Sequence, residues 1–111
     1  MADERKVTLR AEHHGDDHRH LWAYVDEGGA LHIDGQDLGP STAIVSSDGE
    51  YEWFKTMAAA DVPRVVTLLG GAPGDDVLDV LARDFTGVRS YDLEARLRAS
   101  DIPIDLHTWS G

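Results

Sequence analysis

The chain has 111 residues, 41% of them hydrophobic and 28% charged, which is enough for one hydrophobic core over residues 1–111 and too little for two independent domains. It has no cysteine, which excludes a disulfide framework, a thiolate nucleophile, an iron–sulfur cluster and cysteine-ligated zinc; no apolar run approaches the roughly 20 residues of a membrane-spanning helix. A formal charge of −11, from 21 acidic and 10 basic residues, repels phosphate backbones and argues against nucleic-acid binding.

The acidity is spread along the chain. Residues 1–55 hold 12 acids and 5 bases, and residues 56–111 hold 9 acids and 5 bases. Two readings stand for this charge: solubility or adaptation to high salt, and attraction to a basic protein partner. The first residues, Met1 to Lys6, lack the basic-then-apolar layout of a secretory leader, so a cytoplasmic location is expected. Arginine outnumbers lysine eight to two beside abundant Ala, Gly, Val and Asp, the bias of a GC-rich coding sequence, which suggests a bacterial source.

In chain order, Val7, Leu9 and Ala11 alternate with polar residues and predict a first strand with those three on one face. Leu21, Ala23 and Val25 predict a second, with Trp22 and Tyr24 on its reverse side; both of its faces therefore have side chains worth covering. Asp26-Glu27-Gly28-Gly29 is turn chemistry, and Ala30 to Asp34 resumes the alternation, which makes a β-hairpin. A second hairpin is expected from Thr42 to Val45 and Tyr51 to Lys55, joined through Ser46-Ser47-Asp48-Gly49.

The period then changes. Asp61 is positioned to cap a helix with Val62, Val65, Val66 and Leu69 on its inner face, ended by Gly70. Asp75 and Asp76 precede a second helix whose stripe is Val77, Leu78, Leu81 and Phe85, stopped by Gly87. Ser90 is the expected cap of a third, with Leu93 and Leu97 facing inward. Ile102, Ile104 and Leu106 alternate as a closing strand. The expected fold class is α+β: an antiparallel or mixed sheet from N-terminal hairpins plus a C-terminal strand, with three helices packed on one face.

Two groups of residues carry chemistry. His13-His14-Gly15-Asp16-Asp17-His18-Arg19-His20 concentrates four of the six histidines; on a hairpin, His18 and His20 share a face and His13 or His14 approaches from across the turn. Imidazoles in that arrangement suit zinc or nickel, and the competing reading is a solvated turn, or a pH sensor charging near pH 6.5. The second group is Asp34, Asp37, Glu50 and Glu52 with Trp53, read either as an acidic patch with an aromatic anchor for a basic protein partner or as turn residues and an amphipathic strand. No EF-hand spacing is present. Neither a G-x-S-x-G elbow nor a phosphate-binding loop occurs: Gly70-Gly71-Ala72-Pro73-Gly74 lacks the lysine and is followed by two aspartates, so no catalytic residue is nominated and a non-enzymatic role is expected.

The stretches Gly35-Gln36-Asp37-Leu38-Gly39, Tyr51-Glu52-Trp53, Leu68-Leu69-Gly70-Gly71 and Ile102-Pro103-Ile104 resemble a group of small acidic bacterial proteins, over residues 21–109. Some of these are similar to the immunity proteins of polymorphic toxin systems. The resemblance implies an α+β fold and a protein-binding role, and brings no catalytic motif.

Overall fold

The computed structural model describes residues 5–40 and 49–110. Five strands form one antiparallel sheet: β1 (Lys6–His14), β2 (Asp17–Val25), β3 (Leu31–Leu38), β4 (Glu50–Met57) and β5 (Asp105–Ser110), adjacent in chain order. Between β4 and β5 run a 3-10 turn (Ala59–Asp61) and three helices, α1 (Val62–Leu68), α2 (Val77–Asp84) and α3 (Arg89–Ala99). The fold is thus α+β, with the N-terminal hairpins and the last strand in the same sheet. No helix among the described residues is long and apolar enough to cross a membrane.

The expected strand at 42–45 and the turn residues 46–48 lie outside the described residues. The strand containing Tyr51 to Lys55 has β3 on one side and β5 on the other, so its two ladders are both filled.

Local chemistry accounts for the joints. In the β1–β2 turn Gly15 has φ +63°, a conformation that costs glycine little because it lacks a Cβ. The Asp26 carboxylate accepts hydrogen bonds from the amides of Gly28 and Ala30 at 2.9 and 3.0 Å and so closes the β2–β3 turn. Asp76 caps α2, accepting from the amide of Leu78 at 2.8 Å. Asp61 precedes α1 as expected, but its carboxylate makes no cap hydrogen bond. Ser90 is a correction: it lies inside α3, fully buried, with its hydroxyl donated to the carbonyl of Gly87.

The core fills the space between the helices and one face of the sheet. Leu21, Ala23, Leu31, Ile33 and Met57 from the strands meet Val65, Leu81, Phe85, Leu93 and Leu97 from the helices. Ile102 is buried and Ile104 partly so, but Leu106 is 54% exposed: the ladder of β5 starts only at Asp105, beyond Pro103, which has no N–H to give it.

One irregularity decides what β1 presents. The pairing with β2 steps from Thr8 opposite Trp22 to Arg10 opposite Leu21, so Leu9 is an extra residue, a β-bulge. Val7, Leu9 and Arg10 are all buried, and Ala11 is exposed on the other face, not inward with Val7 and Leu9 as the alternation predicts.

Candidate functional site

Because side chains alternate across a strand, the ladder registers assign every residue of the sheet to a face. The rows Val7–Ala23–Ile33 and Leu21–Gly35–Trp53 point to the helices. The opposite, outer face carries four rows. They are Lys6–Tyr24–His32–Thr56–Asp105, Thr8–Trp22–Asp34–Phe54–His107, Ala11–His20–Gln36–Glu52–Trp109 and His13–His18–Leu38–Glu50. The two aromatics of β2 lie on this outer face, where no helix among the described residues covers them.

This face divides the predicted acidic patch. Asp34, Glu50 and Glu52 stand on it together, whereas Asp37 and Trp53 point the other way. Trp53 lies flat over Gly35, packed against the core; a Cβ on Gly35 would come within 2.2 Å of its ring. Its place as the exposed anchor is taken by Trp22, Phe54 and Trp109, the last 49% exposed. Asp37 faces the helix side, where burial raises its carboxyl above the usual value and the charges of Arg19 and Arg10 pull it back.

Within the outer face the polar groups are tied to one another. The amide of Gln36 donates to the carboxylates of Glu52 at 3.0 Å and Glu50 at 3.3 Å. The His32 ring stacks on Tyr24 with centres 4.5 Å apart and reaches the Asp26 carboxylate at 2.7 Å, and that hydrogen bond holds the Asp26 carboxyl below its ordinary value. Lys6 sits 4.7 Å over the Trp22 ring. Asp34, opposite Trp22 and Phe54, is only 6% exposed and its Oδ1 has no hydrogen-bond partner; burial raises its carboxyl, while His32 and Lys6 oppose the shift. Two shallow hollows flank this row: one of about 420 Å³ between β1 and β2 beside Lys6, His20 and Trp22, and one of about 370 Å³ at Glu52, Phe54 and Trp109.

The predicted histidine group is brought together in part. His13, His18 and His20 meet on the outer face, with ring centres 4.3, 6.0 and 6.5 Å apart. His14 turns to the other side, 3.8 Å from the Glu12 carboxylate. As the side chains stand, no three His, Asp or Glu groups among the described residues are placed to hold a metal ion.

Sequence reasoning missed a charged cluster beneath the sheet. Arg10, 4% exposed, donates to Ser90 Oγ at 2.9 Å and to Glu94 at 2.6 Å and lies 3.6 Å over the Tyr91 ring. The Tyr91 hydroxyl donates to Glu12 at 2.6 Å, and burial together with that bond raises it above the ordinary phenol value. Lys55 approaches Glu94 at 3.9 Å. Every charge here has an opposite neighbour, so the cluster reads as the tie between α3 and β1.

A further hollow, about 450 Å³, lies between α1 and residues 100–102; it is mostly apolar and is bordered by the Arg64–Asp101 ion pair at 2.7 Å. No family model, curated protein or solved structure matches this chain.

Proposed function

We propose that the chain is a non-enzymatic protein-binding module that receives a basic partner on the outer face of its sheet, an arrangement in keeping with an immunity- or antitoxin-like role. The observation that supports this reading is the composition of a sheet face that no helix among the described residues covers. Trp22, Tyr24, Phe54 and Trp109 supply flat apolar area, and the carboxylates Glu50, Glu52 and Asp105 outnumber the single Lys6, while Asp34 lies buried in the middle of the face. Aromatic area gives the anchoring energy of an interface, whereas rim carboxylates attract a cationic partner from a distance and act mainly on the association rate.

The test starts from co-purification of the partner and proceeds to binding kinetics with variants. Glu50→Gln combined with Glu52→Gln is expected to slow association and flatten its salt dependence. Trp109→Ala is expected to speed dissociation. A partner that is acidic, or whose binding is indifferent to all three changes, would overturn the proposal.

A further inference from the structure

The bulge at Leu9 has an effect on the far end of its strand. A regular β1 that buried Val7 and Leu9 would carry Ala11 and His13 inward with them; the extra residue reverses the parity, and from Ala11 onward the odd-numbered side chains face outward. His13 thereby arrives on the outer face directly opposite His18, and His20 follows two residues along β2 on the same side. Bulges recur beside functional sites because they re-aim a side chain in this way. Three imidazoles are thus displayed on two paired strands next to a tight turn, a backbone with little freedom to collapse or spread.

From this arrangement we infer a binding site for a late first-row divalent cation, zinc or nickel, with His13, His18 and His20 as its three protein ligands. With Zn–N near 2.0–2.1 Å, three imidazoles on one tetrahedral ion have their ring centres roughly 5 Å apart. The observed separations of 4.3, 6.0 and 6.5 Å bracket that figure. The rings now meet edge to face, so ligation needs rotation of the side chains, with no change in register. Imidazole suits zinc, copper and nickel better than it suits magnesium or calcium, and the negative charge of the chain favours any cation. Three ligands leave a fourth position for water or for a group from another molecule. Nothing in this inference depends on the protein-binding proposal: His13 and His18 stand in the row that ends at Glu50, and His20 in the row of Glu52 and Trp109, but the three ligands lie on β1 and β2 whereas those carboxylates and Trp109 lie on β4 and β5, and none of them is a ligand.

Calorimetric titration of the full, untagged chain with zinc chloride, repeated with nickel chloride, tests it. One equivalent is expected to bind with a Kd of about 1 μM or tighter. Alanine at His13, His18 or His20 is expected to weaken binding at least as much as loss of an outer-shell partner does, roughly 10–100-fold. His14→Ala distinguishes a built site from a histidine-rich turn: it belongs to the same turn but faces Glu12, and its affinity is expected to stay unchanged. Should an alanine variant unfold, imidazole proton resonances of the unaltered chain give the same answer, with zinc shifting His13, His18 and His20 and leaving His14 and His107 in place. Millimolar binding, or a His14 variant as impaired as the other three, would refute the site.

Discussion

Gly35 and Trp53 offer the sharpest check on the division of the sheet into two faces. They sit opposite each other on β3 and β4, and a Cβ added to Gly35 would lie 2.2 Å from both Cε2 and Cζ2 of the indole. Ordinary carbon contacts begin near 3.5 Å, so Gly35→Ala forces the ring back by more than about 1 Å and out of its packing. Overpacking of this kind costs about 1–3 kcal/mol. At roughly 2.1 cal/mol/K of unfolding entropy per residue, each kcal/mol lowers the melting temperature of a chain this size by about 4 °C, so a drop of about 4–13 °C is expected. The sign should reverse once the ring is gone. In a Trp53→Ala background only the backbone effect remains, and alanine is better than glycine within a strand by about 0.5–1 kcal/mol. Gly35→Ala should then be neutral or stabilising. Thermal and urea denaturation of the four proteins in this cycle measures the coupling. Equal destabilisation in both backgrounds would show that Trp53 does not lie over Gly35, and it would restore Trp53 as a candidate surface anchor.

Other expectations follow from the burial pattern and the perturbed carboxyls. Arg10→Met leaves the Glu94 carboxylate without its principal partner and should cost about 3 kcal/mol in urea unfolding, the low end for a broken buried pair because Lys55 is near; a loss below about 1 kcal/mol would remove Arg10 from the tie between α3 and β1. Ile102→Ala should cost about 2–5 kcal/mol and Leu106→Ala no more than about 0.5 kcal/mol, and similar losses at both would place Leu106 in the core after all. Burial raises the Asp34 carboxyl, so the unfolded chain releases that proton first: the contribution is present below the ordinary carboxylate value and is lost as pH rises through the raised one. Asp34→Asn should therefore gain stability relative to the parent between about pH 4 and pH 7. Asp26, lowered chiefly by the His32 hydrogen bond, runs the other way: its contribution is present above the ordinary value and fades as acid carries the pH through the lowered one. Denaturation of Asp34→Asn and Asp26→Asn across pH 3–7 should give difference curves of opposite slope.

Much of the architecture was legible because it rests on local rules. The alternation Leu21, Ala23, Val25 against Trp22, Tyr24 marks β2, and Gly70 and Gly87, with φ of +84° and +65°, stand where the helical periodicity of α1 and α2 runs out. The scattering of the acidic patch was legible too, by the same period of two: Asp34 and Asp37 are an odd number of residues apart and Glu52 and Trp53 are neighbours, so a straight strand must send them to opposite faces. The bulge was not legible. Thr8-Leu9-Arg10 has no glycine or proline to announce an extra residue, and Arg10 reads as an exposed position until Ser90 and Glu94, eighty and more residues away, supply its partners. The meeting of His13 with His18 was implied by a two-residue turn; that they meet on the face away from the helices was a tertiary fact, fixed where Leu21 and Ala23 join the core.

The bulge also makes the two borders of the sheet unequal. Among the described residues β1 and β5 are the outermost strands, and an outermost strand is a template on which another chain can extend the ladder. On β1 the extra residue breaks the run of hydrogen-bonding groups, and the carbonyl of Leu9 already accepts the amide of Gly87 at 2.8 Å. Strand β5 shows no such interruption over Asp105 to Ser110 among the described residues. A molecule with one obstructed border and one open border polymerises differently from one with two open borders. Two copies joined antiparallel through β5 use up both templates, so a contact of this kind ends at a pair and gives no growing end for a fibre.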